Sequence, residues 1–314
     1  MTADAFDGRD RMGRVVSLGG PTMGTSWSVR IAAPAAGLPD GVDAAIEAVL
    51  ASVIAQMSNW EPDSGISRFN RSTPGDWQSL PADFLTVLRA GLHIADRSGG
   101  AFDPAIGDAV EAWGFGPGAS RSPSPLPVQS WRAIEVDGGC ARRLAPVALD
   151  FSGIAKGFAV DAVAGRLSDM GLRNFLVEIG GELRGSGVKP DGQPWWVDLE
   201  APPDMTLPVT HVALCGLSVA TSGDYRRYFE EDGKRFAHSI DPRTAAPIDN
   251  GVASVSVFHE SAMIADAWAT ALTVLGVERG LALAADEGLA ALMVTRGASA
   301  PKEWMTPAFA AMLE

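Results

Sequence analysis

Within residues 27–57 the hydrophobic period switches from that of a strand to that of a helix, which excludes an all-helical or all-strand fold. Residues 27–33 alternate as a half-buried strand does. From Asp43 onward, Ile46, Val49, Leu50, Val53, Ile54 and Met57 recur along one face of an amphipathic helix. Further helices are expected over residues 83–97, stopped by Gly99 and Gly100, and over 154–170, closed by Gly171. Two more are expected over 261–275 and 278–285. Strands are expected at 15–18, 147–151, 174–179 and 290–295, and the turn-rich residues 19–25 form a loop between the first two strands, placed to touch a ligand. Residues 114–126 are rich in Gly and Pro, which deny them regular hydrogen bonding and mark a flexible loop and a lobe boundary. These elements predict an α+β fold, a mixed sheet with packed helices in two interlocked lobes with the ligand cleft between them. Residues 1–20 read as a short lead and 21–314 as a single domain.

At 314 residues, 46% hydrophobic and 20% charged, the chain can bury a substantial core, and 35 Gly with 21 Pro supply more turns than a helical bundle needs. A net charge of -13 speaks against nucleic-acid binding, and an anionic substrate must be met by local groups or a metal. Cys140 and Cys215 have no CxxC spacing and are expected to be buried thiols. Residues 1–14 lack an apolar stretch of secretory type and no segment reads as transmembrane, so the chain is expected in the cytoplasm.

Three segments carry oxygen, nitrogen or charge in patterns suited to phosphate chemistry. Asp150-Phe151-Ser152-Gly153-Ile154-Ala155-Lys156-Gly157 joins an expected strand to a helix, so free N–H groups of the first turn and the Lys156 ammonium can meet a phosphate. Taken alone, Lys156 also fits a solvated first-turn lysine and Asp150 a helix cap. Asp266 and Thr270 lie four apart, placing a carboxylate and a hydroxyl on one helical face, as a hard cation such as Mg2+ requires. An exposed Asp and a back-bonded Thr give the same spacing. His238, in a strand running into the Asp241-Pro242 turn, has the unperturbed pKa range for taking a hydroxyl proton, although a lone histidine is more often structural. Trp60, Phe102 and Trp113 can stack on a flat ring or pack in a core.

In this order, from residue 21 to residue 276, the segments resemble the ApbE family of FAD:protein FMN transferases. The resemblance is carried by Met23-Gly24-Thr25; Met57-Ser58-Asn59-Trp60 with Asp63-Ser64 and Ser67-Arg68-Phe69-Asn70; Gly100-Ala101-Phe102-Asp103-Pro104 with Trp113-Gly114; and Asp150 through Gly157 with Asp161. It continues through Gly180-Gly181-Glu182; Thr221-Ser222-Gly223-Asp224-Tyr225; His238 with Ile240-Asp241-Pro242-Arg243-Thr244; and Ala265-Asp266 with Ala269-Thr270.

The resemblance implies an ApbE-like enzyme that splits FAD between its phosphates, attaches FMN through a phosphoester to a threonine of a flavin-acceptor protein, and releases AMP. It implies Mg2+, with Mn2+ as a chemically similar ion, held by the Gly153 carbonyl oxygen, Asp266 and Thr270. It places the flavin pocket on Met23, Trp60, Ala101, Phe102, Asp103, Asp150, Lys156 and Ile240. The mechanism expected on physical grounds puts Asp266 and His238 in catalysis, with His238 or a carboxylate near the metal as base. An FAD pyrophosphatase delivering FMN to water, and a non-catalytic FAD carrier, are the rival readings. Two departures from the family pattern stand out: no lipid-carrying cysteine occurs near the start, and Ala245 replaces the usual glycine after Asp-Pro-Arg-Thr.

Overall fold

In the computed structural model, which describes residues 12–118, 129–297 and 300–313, strand alternation divides the apolar residues between two faces of one sheet. Its strands are β1 (Met12–Thr22), β2 (Thr25–Pro34), β3 (Phe175–Ile179), β4 (Glu182–Ser186), β5 (Leu217–Gly223), β6 (Val252–His259), β7 (Ala290–Thr295) and β8 (Lys302–Met305). They lie side by side in chain order. The strand directions, left mixed by the sequence reading, are antiparallel in every ladder of this sheet. Trp27, Val29, Ile31, Phe175, Val177, Ile179, Val255, Val257 and Met293 join the larger core. Their neighbours Ala32, Leu176, Phe258 and Leu292 join a smaller core on the opposite face, with Trp195, Leu214 and Phe309.

The larger core is covered by α1 (Val42–Met57), α2 (Ala82–Arg97), α3 (Ala155–Asp169) and α4 (Ala262–Asp286). α3 packs against both α1 and α4, and α4 lies on β5 and β6. The crossing of α3 and α4 is close because Gly157 has no side chain: a Cβ there would stand 2.2 Å from the Ala262 carbonyl oxygen and 2.8 Å from Asp266 Cβ. A small three-stranded sheet (Gln78–Ser79, Ile134–Asp137 and Cys140–Arg143) lies beside this helical layer.

Several sequence-based expectations are corrected. The loop expected at 19–25 is a two-residue turn, because β1 runs to Thr22 and β2 starts at Thr25; Met23 (φ 48°) and Gly24 (φ 72°) both take the left-handed region that such hairpins use. Pro21 is tolerated within β1 because that strand is an edge of the sheet. Residues 147–151 form no strand: side chains hold much of this backbone, and the Gly107 N–H and Pro104 carbonyl hold more of it. Asn59 and Asn70 donate to the Leu149 carbonyl at 2.9 and 2.8 Å, Asn70 Oδ1 accepts from Leu149 N–H, and Asp108 accepts from Ala148 N–H. The two final helices are one element broken at Gly276 (φ 77°), where the Asn250 amide donates to the freed carbonyls of Thr273 and Val274. Neither thiol is buried: Cys140 is half-buried and Cys215 is exposed in the turn between Leu214 and Leu217. Most of the loop at 114–126 lies outside the described residues. Among the described residues no helix is long and apolar enough to cross a membrane.

Candidate active site

The crossing of α3 and α4 at Gly157 brings the phosphate-type segment to the Asp266–Thr270 face. Asp266 is 3% exposed, and its Oδ2 accepts the Gly157 N–H at 3.0 Å. The sequence alternative of an exposed Asp is thereby removed. Burial pushes its carboxyl pKa up, and the Lys156 ammonium and the Gly157 hydrogen bond offset this in part. One helical turn on, Thr270 Oγ1 lies 3.2 Å from Ser222 Oγ at the end of β5. Gly153 presses its backbone against the same hydroxyl: a Cβ there would stand 2.8 Å from Thr270 Oγ1 and 3.4 Å from Phe102 Cε2. Gly153 and Thr270 thus meet across a gap that any side chain at 153 would fill, one helical turn from Asp266.

That corner holds its shape through the start of α4. Asp161 of α3 accepts from Ser261 Oγ (2.6 Å) and from the N–H groups of Ala262 and Met263 (3.0 Å each), satisfying free donors of the first turn, while Arg184 pairs with its carboxylate. Ser261 itself caps the helix by accepting from Ile264 N–H.

Lys156 is not the solvated lysine of the bland alternative. Its ammonium forms an ion pair with Glu182, which is 1% exposed, while the Lys156 side chain keeps 30% of its own surface open. Burial pulls the ammonium pKa down, but the carboxylates of Glu182 and Asp266 outweigh it and the net direction is up. Burial likewise raises Glu182, to about 7, against the pull of Lys156. The turn before Glu182 shapes this pair. Gly180 (φ 61°) faces Thr25 and the Lys156 stem, and Arg226 donates to its carbonyl at 2.8 Å.

On the other flank, Trp60 is 56% exposed and Arg227 lies over its ring, 5.6 Å from the centroid. Arg227 also donates to the Phe115 carbonyl (2.9 Å). A cleft of about 390 Å³ is lined by Gly114, Phe115, Arg226, Arg227, Tyr228 and Phe229. His238 stands edge-on to Phe115, and its Nδ1 lies 3.1 Å from the Arg227 carbonyl oxygen. A carbonyl only accepts, so Nδ1 carries the proton and Nε2 is left with a lone pair. Burial pushes the imidazole pKa down to about 4, so the ring is uncharged at neutral pH.

The remaining sequence candidates each have partners of their own. Phe102 and Ala101 are buried, and Phe102 reaches Gly153. Asp103 is 5% exposed, accepts from the N–H groups of Ala105 (2.8 Å) and Trp131 (3.2 Å), and is raised by burial to about 6. Asp150 is buried and accepts from Ser152 N–H at 2.7 Å. Ile240 packs with Phe115 in a small apolar cluster, and Met23 is half-buried at the β1–β2 turn. Trp113 is bound from its indole N–H to the Ala245 carbonyl and stacks on Phe236. Arg226 and Arg227 were missed by the motif reading; adjacent arginines in a chain of net charge -13 were the available signal. No cluster of three or more His, Cys, Asp or Glu side chains suited to a metal is present among the described residues. A cation in this corner therefore depends on the backbone and hydroxyl oxygens as much as on Asp266.

Known proteins share this sequence pattern and fold. The family model described as "ApbE family" matches residues 23–293. An FAD:protein FMN transferase of Vibrio cholerae is 37% identical over 313 residues, covering 96% of this chain and 94% of that protein. Its counterpart in Escherichia coli K12 is 34% identical, covering 95% and 89%. The crystal structure of Pseudomonas stutzeri flavinyl transferase ApbE in its apo form superposes with a TM-score of 0.88 at 36% identity, covering 95% of this chain and 96% of that one. The flavin transferase ApbE from Vibrio cholerae does so with a TM-score of 0.86 at 35% identity, covering 95% and 99%.

Proposed function

The chain belongs to the ApbE family and transfers FMN from FAD to a protein acceptor, and from that premise we propose how its residues perform the transfer. The acceptor group is a threonine hydroxyl. Its Oγ forms a bond to the phosphorus on the FMN side of FAD, the P–O bond to the AMP phosphate breaks, and AMP leaves with that electron pair. His238 Nε2, uncharged and bearing its lone pair, takes the hydroxyl proton. Lys156 meets the diphosphate with the open part of its side chain, and the exposed face of Trp60 stacks on the flavin, which Ala101, Phe102, Asp103, Asp150, Met23 and Ile240 enclose.

The donor set of Gly153 carbonyl, Asp266 and Thr270 fits Mg2+, or Mn2+, because all three are hard oxygen ligands and the ion keeps water in its remaining positions. Bound there, the cation offsets negative charge on the diphosphate. The observation that carries this reading is the buried Asp266 carboxylate, one turn from Thr270, against a Gly153 backbone that leaves the corner open. The test mixes the protein with FAD, Mg2+ and an acceptor domain bearing a target threonine, and follows AMP and the acceptor's mass. A gain of one FMN that disappears in Asp266→Ala supports the reading. Free FMN with unmodified acceptors refutes it in favour of hydrolysis, and intact bound FAD refutes it in favour of a carrier.

A further inference from the structure

Glu182 has no role in the transfer as set out above, yet it is the most deeply buried carboxylate beside the site: it is 1% exposed, and its Oε2 has no hydrogen-bond partner. Its other oxygen holds the Lys156 ammonium. Lys156 springs from the residue next to Gly157, whose N–H already reaches Asp266, so the lysine is rooted beside that carboxylate as well. The Asp266 carboxylate also acts electrostatically on that ammonium, so two buried carboxylates face one cation, and the structure shows Glu182 holding it. The Gly180 backbone walls in the Lys156 stem on the side of Thr25, and Arg226 is occupied with Gly180 and Glu200. If Glu182 offered no acceptor, Asp266 would be the remaining buried anion within this crossing for Lys156 to pair with. An ammonium on Asp266 would occupy the oxygen that a cation needs.

We infer that Glu182 is a positioning residue: it holds Lys156 away from Asp266, so that the carboxylate stays open to a divalent cation while the lysine faces the diphosphate. The inference rests on the metal reading given above. A general electrostatic contribution from Glu182 is separable from this, because two substitutions remove the same charge and differ only in whether an acceptor remains.

The experiment measures Mn2+ binding by loss of the free-ion electron paramagnetic resonance signal, without FAD. Glu182→Met, which removes charge and acceptor, weakens binding at least tenfold, whereas Glu182→Gln, which keeps an acceptor for Lys156, stays within threefold of the parent. The apolar double variant Glu182→Met with Lys156→Met returns to within threefold, and it carries the comparison if Glu182→Met folds poorly. Equal weakening by Met and Gln, or a double variant as weak as Glu182→Met, overturns the positioning role. Asp266→Asn separates the two readings: loss of Mn2+ binding there leaves the metal site standing whatever Glu182 does, and unchanged binding overturns the metal site together with the inference.

Discussion

Substituting Gly157 by alanine tests whether the close crossing of α3 and α4 builds the site. An added Cβ would lie 2.2 Å from the Ala262 carbonyl oxygen and 2.6 Å from its carbon, about 1 Å inside the distance at which ordinary contact begins. Both obstacles are backbone, so no rotamer relieves them and the helices must separate by a similar amount. The 3.0 Å hydrogen bond from Gly157 N–H to Asp266 would then stretch to roughly 4 Å and cease to be one. Overpacking costs about 1–3 kcal/mol and the buried carboxylate stripped of its donor about 1–3 more. The better helix propensity of alanine returns about 1 kcal/mol. A net loss of about 1–5 kcal/mol follows, measured as a fall in urea midpoint with the slope unchanged. Gly165, exposed on the same helix with nothing within 4 Å of its built Cβ, is the control, and Gly165→Ala should gain about 0.5–1 kcal/mol. Equal stability of the two variants would refute the argument that this crossing depends on the missing Cβ.

Ala245 holds φ 54°, a conformation costing an alanine about 1–2 kcal/mol, so Ala245→Gly should raise stability by up to about 1 kcal/mol after the glycine's extra unfolded-state entropy; an unchanged or lower urea midpoint would count against the strain. The His238 ring should titrate near pH 4 by NMR instead of at the ordinary 6.5, with the proton on Nδ1 at pH 7. Because its folded pKa lies below the unfolded one, the unfolded chain binds more protons between those values, so this residue's contribution to stability falls as the pH drops from 6.5 to 4; His238→Gln should flatten that segment of the curve. Trp60→Ala should leave the unfolding free energy from urea titration within about 0.5 kcal/mol, as expected for a half-exposed side chain, while weakening FAD binding in a fluorescence titration; the reverse pattern would make Trp60 a packing residue.

What the sequence discloses is local. The helices from Asp43 and Asp83 follow from periodicity, because one buried face repeats within a single element. Residues 147–151 mislead because apolar side chains there resemble a strand, whereas the partners of their backbone are Asn59, Asn70 and Asp108, far away in sequence. The same distance hides the burial of Asp266. Alanine-rich α4 gives no amphipathic contrast, and only the crossing with α3, dictated by a glycine, shows which face turns inward.

The charge distribution links this fold to its substrate. A chain of net charge -13 repels a dinucleotide at long range, so attraction must begin at short distance. On the proposed reading Lys156, Arg226 and Arg227 provide it from three separate supports: Lys156 from the first turn of α3 held by Glu182, Arg226 by the Gly180 carbonyl and Glu200, and Arg227 by the Phe115 carbonyl and the Trp60 ring. Arg227 is tied to neutral groups in these contacts, so its charge remains available to an anion, whereas the charges of Lys156 and Arg226 are shared with carboxylates. Neutralising Lys156 or Arg227 should therefore differ in salt dependence. Arg227→Gln should remove the larger part of the salt sensitivity of FAD binding, because a cation shared with a buried carboxylate contributes less net field to the cleft.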